Sequence, residues 1–196
     1  MALTLIKEDG TGKVDANSYA AVADGDAYFE GHLYPSAWTA ATEETKGAAL
    51  IMATRLVDTQ FQFNGFRAHE TQALQWPRER CPDPDRNAVT SSLQSPVLSS
   101  FVPNDAVPMG VLFAVCEMAR ELLIADRTAA PPGEGISSTQ TSSATHNSSG
   151  GSSSQSSVSY SKEDTRPIMS RVAQAMLAKY GALIQGGSGS VRLVRV

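Results

Sequence analysis

Apolar side chains recur at helical spacing between residues 104 and 126, and this pattern limits the fold of the chain more than any other feature. Their intervals are four and three residues, in the order Val111, Val115, Met118, Leu122 and Ala125. This spacing puts one apolar side chain per turn on a single helix face, with Asn104 or Asp105 available as the cap. A helix of this kind is stable only when other elements cover that face, so the chain must supply further helices or a sheet.

Three other segments are predicted to be helices. One runs from about Tyr19 to Leu33, and the next follows Thr42, a residue that can cap it, and reaches about Thr59. The last begins near Pro167, after a cap at Asp164 or Thr165. Its apolar stripe consists of Ile168, Val172, Ala175, Met176 and Leu183. The sequence therefore predicts a mainly α fold, a small helical bundle of about four helices.

Three segments lack helical periodicity. Residues 60–103 contain five prolines and are expected to form a long ordered loop. Residues 137–161 contain 13 serines among 25 residues, and such a segment buries too little apolar surface to offset its ordering entropy, so a flexible excursion or a β-hairpin is expected. The segment 186–196 begins with a Gly/Ser joint and ends in residues of high β propensity.

These segments divide the chain into four parts. Residues 1–132 are predicted to be a helical core with an N-terminal arm, and residues 133–164 the Ser-rich excursion. Residues 165–185 are predicted to be a helix that packs on the same core, and residues 186–196 an extended arm. We expect the arm to pair with a strand of another chain by β-augmentation. The residues expected to bind that partner are Val191, Arg192, Leu193, Val194, Arg195 and Val196.

Residue types with reactive side chains form no recognised catalytic or metal-binding pattern. The two cysteines, Cys81 and Cys116, lack metal-ligand spacing, and the three histidines are far apart in the sequence. Serine occurs in neither a GxSxG nor an SxxK context. We therefore expect no enzymatic activity, no metal and no cofactor. No apolar run is long enough to span a membrane, so no membrane partner is expected.

Aromatic and basic residues are interleaved in the proline-rich loop, as in proteins that bind single-stranded nucleic acid. The cluster consists of Phe61, Phe63, Phe66, Arg67, Trp76, Arg78 and Arg80. The alternative is a loop whose aromatic side chains attach it to the core. The formal net charge of −4 favours the second interpretation, because an acidic body repels phosphates.

The same loop resembles the hallmark motif of a tailed-bacteriophage family that is often labelled "DnaT-like single-stranded DNA-binding protein". The similar stretches are Phe63-Asn64-Gly65-Phe66-Arg67 and Gln72-Ala73-Leu74-Gln75-Trp76-Pro77-Arg78. Within them, Gly65 permits a turn closed to other residues, and Arg67 and Arg78 can reach carbonyls or carboxylates. We therefore predict a structural loop motif made of Gly65, Arg67, Gln72, Trp76, Pro77 and Arg78.

The resemblance implies a structural adaptor that joins head to tail in a virion. On that interpretation the partners are other copies in a ring of about twelve subunits, the portal protein, and a tail-side or second connector protein. Double-stranded DNA would pass through the ring without specific binding, and the location would be the neck of the virion after synthesis in the bacterial cytoplasm. Single-stranded DNA binding of a replication type is the alternative, and the acidic balance ranks it second.

Overall fold

The computed structural model describes residues 3–83, 85, 101–129, 138–147, 150–159 and 167–184. The described helices are α1 (Val22–Glu30), α2 (Ser36–Thr39), α3 (Glu43–Gln60), α4 (Met109–Ile124) and α5 (Arg171–Leu177). The described strands are β1 (Phe61–Phe63), β2 (Phe66–Arg67), β3 (Arg78–Glu79), β4 (Ser138–Asn147), β5 (Gly150–Ser159) and β6 (Gly181–Leu183). Helices dominate and most of the strands are short, so the prediction of a mainly α chain is confirmed.

Helix boundaries follow local side-chain chemistry. Thr42 caps α3 as predicted, because its side chain accepts a hydrogen bond from the Thr45 backbone N–H. α4 begins at Met109 and not directly after Asn104 or Asp105, since Pro108 keeps the residue before it out of the α region.

The ends of α1 and α5 differ from the prediction. α1 covers only the middle of the predicted Tyr19–Leu33 helix. α5 begins at Arg171, where the Ser170 side chain accepts from the Ala173 N–H. Leu183 was expected on this helix, but it lies on β6. The short helix α2 gave no periodic signal, because four residues cannot show one.

The core lies where α3 packs against α4 and α4 packs against α5. α4 buries the predicted stripe residues Val111, Val115 and Met118 completely. Trp38 from α2 and Phe29 from α1 stack at 5.1 Å between ring centroids and are also buried. Burial of these faces supplies the main stabilisation, at about 25 cal/mol per Å² of apolar surface.

Two short antiparallel sheets organise the loop that follows α3. β1 pairs with β6, with Phe61 opposite Leu183, so the end of α3 is joined to the segment after α5. β2 pairs with β3, with Phe66 opposite Glu79 and Arg67 opposite Arg78. The segment expected to be a long ordered loop therefore contains three strands within its described part.

The chain divides into two units, residues 1–126 with 169–196, and residues 127–168. The second unit contains the hairpin β4–β5, whose register runs from Ser138 opposite Ser159 to Asn147 opposite Gly150. Of the two structures expected for the Ser-rich segment, the structure has the hairpin. Its backbone N–H and C=O groups satisfy one another in a ladder, which needs no apolar side chains.

The predicted C-terminal arm, Val191–Val196, lies outside the described residues, as do the caps predicted at Asp164 and Thr165. Within the described part of the chain, no helix combines the length and apolar character needed to cross a membrane.

Candidate functional site

The loop between β1 and Pro82 is attached to the core by Trp76. Its side chain is 0% exposed and meets the edges of two rings, Phe63 at 5.6 Å and Tyr180 at 5.7 Å between centroids. Edge-to-face pairs of this kind add about 0.5–1.5 kcal/mol each to the burial of the ring. The peptide bond between Trp76 and Pro77 is cis.

A buried hydrogen-bond network fixes the backbone on the N-terminal side of Trp76. The Tyr19 hydroxyl donates to Asp58 Oδ1 at 2.6 Å and accepts from the backbone N–H groups of Gln75 and Trp76. The Gln75 N–H also donates to Asp58 Oδ2 at 3.1 Å. Burial raises the pKa of Asp58 to about 6, and burial also raises the pKa of Tyr19.

Arg78 holds the two arms of the loop together through its guanidinium group. Its Nε donates to the Asn64 carbonyl at 2.8 Å, and one terminal nitrogen donates to the Gly65 carbonyl at 2.7 Å. The other terminal nitrogen donates to the backbone and side-chain oxygens of Gln75. The rigid fork of arginine suits this bridging of several carbonyls, and lysine could not reproduce it.

Gln72 and Gly65 complete the interior of the loop. The Gln72 side chain accepts from the His69 N–H and donates to the carbonyls of Leu74 and Pro77. Gly65 has φ +75°, and a Cβ at this position would lie 2.2 Å from the Glu79 carbonyl oxygen. Only glycine fits both the conformation and the close approach.

The loop around β2 and β3 carries a group of exposed side chains that we call the hairpin face, with Arg67 on the other side of the ladder from Phe66. Its members are Phe66, Arg67, Glu79, Arg80 and Phe101. Phe66 is 68% exposed and Phe101 is 43% exposed. Arg67, Glu79 and Arg80 make no side-chain hydrogen bond or ion pair with the residues that the structure describes.

Phe101 joins the hairpin face through backbone pairing. It forms a β-bridge with Pro82, and the neighbouring Val102 N–H donates to the Cys81 carbonyl at 2.9 Å. Phe66 is paired with Glu79, three residues before Pro82. Phe66 and Phe101 therefore lie beside opposite ends of one backbone segment, residues 79–82.

The structure separates the predicted motif residues into two groups. Gly65, Gln72, Trp76, Pro77 and Arg78 come together inside the loop, whereas Arg67 lies outside on the hairpin face. Of the aromatic and basic cluster, Phe61, Phe63, Trp76 and Arg78 are buried. Sequence reasoning missed Phe101 and Glu79, because the pairing across the loop has no sequence signal.

A second polar cluster lies between α1 and α4. The buried Glu117 carboxylate accepts from the Tyr28 hydroxyl at 2.9 Å and from Arg120 at 3.0 Å, and the His32 Nε2 atom lies 3.2 Å from it. Both carboxylate oxygens are thus occupied, so the cluster fixes the two helices and leaves no oxygen available as a base. Among the described residues, no group of three or more potential ligand side chains is placed to hold a metal ion.

Three surface carboxylates are paired locally with lysines. Lys13 lies 2.8 Å from Asp9, Lys7 lies 2.7 Å from Asp24, and Lys46 lies 2.7 Å from Asp26. These pairs contribute little to stability at the surface, but they neutralise carboxylates that would otherwise repel an anion. Each pair uses one cation for one anion, so the net charge of −4 is unchanged, and none of these pairs includes Arg67 or Arg80.

Comparison with known proteins gives one result. The family described as "Putative DnaT-like ssDNA binding protein" matches residues 3–196. No curated protein and no solved structure matches the chain.

This match overturns the functional ranking made from the sequence. The expectation of a head-to-tail adaptor of a virion is wrong, because the matching family is described as binding single-stranded DNA, which was ranked second. The ranking rested on the acidic balance of the chain, and a sum of charges does not locate the exposed cations. Neither the structure nor the comparison tests the expected ring of subunits, its portal and connector partners or the virion location.

Proposed function

The chain belongs to the DnaT-like single-stranded DNA-binding family, and from this premise we propose that it binds single-stranded DNA through its hairpin face, without catalysis. One observation carries the proposal. Two exposed aromatic rings flank a single backbone segment, and the same loop carries two exposed arginines that have no side-chain partner among the described residues. Aromatic surfaces combined with free cations are what single-stranded binding sites use.

The two rings supply the stacking surfaces. Phe66 and Phe101 are paired with Glu79 and Pro82, whose backbones are at most about 10 Å apart, because Arg80 turns the segment between them away from the extended conformation. One short segment of a DNA strand is long enough to reach both rings. Stacking of a base on an aromatic side chain contributes about 1–3 kcal/mol and depends little on sequence.

The two arginines supply the phosphate contacts. Arg67 follows Phe66 directly, and Arg80 precedes the segment that pairs with Phe101. Arg80 has φ 54°, a left-handed conformation that costs a residue with a side chain about 1–3 kcal/mol. Strain of this size persists where the surroundings hold it, and it sets the direction in which this guanidinium is presented.

The buried side of the loop supports this role by holding the face rigid. Arg78, Gln72 and the Tyr19–Asp58 pair fix the backbone on which the exposed residues stand. A site that is ordered before binding loses less conformational entropy when the ligand arrives.

The test is binding of a short fluorescein-labelled DNA strand of mixed sequence, followed by anisotropy over a range of salt concentrations. Replacement of both rings (Phe66→Ala with Phe101→Ala) should weaken binding by about 10-fold or more and leave the salt dependence unchanged. Replacement of both cations (Arg67→Ala with Arg80→Ala) should reduce the slope of log K against log salt by about 1.4.

Matched controls come from other parts of the surface. Tyr34→Ala removes an aromatic side chain that is 69% exposed, and Arg171→Ala removes an exposed arginine that has no partner among the described residues. Both variants should bind like the unaltered protein. Equal losses in the controls and in the hairpin variants, or no binding by the unaltered protein at low salt, would refute the proposal.

A further inference from the structure

Glu79 is the one acidic member of the hairpin face, and stacking and phosphate contacts give it no role. Its carboxylate is exposed and makes no hydrogen bond or ion pair with the described residues, although Arg80 is adjacent in sequence. An unpaired carboxylate in a site for an anionic polymer weakens binding through repulsion. Glu79 must therefore either weaken binding or contact a hydrogen-bond donor of the ligand.

The β2–β3 ladder places Glu79 beside the exposed ring of Phe66. The two residues are direct cross-strand partners in an antiparallel pair. Side chains in such pairs share one face of the sheet, with Cβ atoms about 4.5–5.5 Å apart. A base that stacks on the Phe66 ring thus brings its polar edge within reach of the Glu79 carboxylate.

The chemistry of the base edges decides which bases this arrangement accepts. An ionised carboxylate only accepts hydrogen bonds. Guanine offers two adjacent donors, N1–H and the N2 amine, which match the two carboxylate oxygens. Cytosine and adenine offer one amine each, and glutamate accepts from the cytosine amine in known complexes. Thymine offers one N–H between two carbonyl oxygens, and these oxygens repel a carboxylate.

We propose that Glu79 selects the base stacked on Phe66, with guanine preferred, cytosine and adenine next, and thymine rejected. This inference rests on the proposed function and refines it. The site binds the phosphates and the flat faces of the bases of single-stranded DNA, and Glu79 adds a preference for bases that carry an amine. One two-point contact of this kind corresponds to about 10-fold in affinity between guanine and thymine.

The experiment compares four labelled strands of equal length. The first two are an all-thymine strand and an all-cytosine strand. The third is a thymine strand with guanine at every third position, and the fourth is the same strand with inosine in place of each guanine. Inosine keeps N1–H and lacks the N2 amine, so it should lose most of the preference. The unaltered protein should bind the guanine-containing strand about 10-fold more tightly than the all-thymine strand.

The decisive variant is Glu79→Gln, which keeps the size of the side chain and removes its charge. It should bind the all-thymine strand more tightly and reduce the guanine-to-thymine ratio to about one. Glu70→Gln is the matched control, since Glu70 is an exposed carboxylate of the same loop outside its strands. It makes the same change in charge and should keep the ratio.

The outcomes separate the inference from the proposed function. Binding that depends on Phe66 but shows equal affinity for all four strands would overturn the role of Glu79 alone. A guanine preference that survives Glu79→Gln would do the same. Absence of binding to every strand at low salt would overturn both.

Discussion

Replacement of Trp76 with alanine should destabilise the fold strongly. Removal of a buried Trp or Phe typically costs about 3–5 kcal/mol, through lost transfer energy and the cavity left behind. Trp76 is 0% exposed and also loses its edge contacts with Phe63 and Tyr180, so a value of about 4–5 kcal/mol is expected. For a chain of this size, that change lowers the melting temperature by about 10–15 °C.

Urea unfolding followed by far-ultraviolet circular dichroism is the suitable assay, because fluorescence would change simply through the loss of one of two tryptophans. Trp76→Phe is the control. The Trp76 indole Nε1 has no hydrogen-bond partner among the described residues, so replacement by phenylalanine removes volume but no hydrogen bond. We expect a loss of about 1–2 kcal/mol there. If Trp76→Ala unfolds within about 1 kcal/mol of the unaltered protein and yet fails to bind DNA, Trp76 is a ligand contact and the structural explanation is wrong.

Three further predictions concern the same loop and the core. Gly65→Ala should lower the free energy of unfolding by about 2 kcal/mol or more, because Gly65 has φ +75° and lies close to the Glu79 carbonyl. Gly31→Ala is the control and should be neutral, since a Cβ at Gly31 meets nothing within 4 Å. Equal urea midpoints for the two variants would contradict this prediction. Burial raises the folded-state pKa of Asp58 to about 6 from 3.8, so the folded state binds a proton more tightly than the unfolded state does. The free energy of unfolding should therefore rise by about 3 kcal/mol as the pH falls from about 6 to 4. Asp58→Asn should lack this rise, and the same dependence of unfolding free energy on pH in both proteins would contradict the prediction. Burial raises the pKa of Cys116 to about 12 and also raises the pKa of Cys81. Neither thiol should therefore react with Ellman's reagent before the protein unfolds. Fast reaction of either thiol in the folded protein would show that the thiol is accessible.

The helical part of the fold was predictable because its signals are local. The stripe of α4 and the Thr42 cap of α3 depend on residues within a few positions of one another, and both are present in the structure. The start of α4 was misjudged because the side chains of Asn104 and Asp105 suggested a cap, whereas Pro108 imposed a later start.

The sheets were not predictable, because their pairing is non-local. β1 meets β6 across more than a hundred residues, and Gly181 permits this contact since a Cβ there would lie 2.2 Å from the Gln62 carbonyl oxygen. Strands of two or three residues carry no usable alternation. For the same reason, the sequence could not show that Phe101 belongs beside Pro82.

Arg67 and Arg78 have different roles that the sequence alone does not distinguish. Both are arginines of one motif and directly opposite each other in the β2–β3 ladder, an arrangement that destabilises like charges. The carbonyl oxygens of Phe63, Asn64 and Gly65 accept hydrogen bonds from the Arg78 guanidinium and offset this repulsion. Arg67 has no such partners among the described residues and stays exposed, with its full charge available to a ligand. The motif thus contains one arginine that builds the loop and one that the loop presents, and only the carbonyl positions distinguish them.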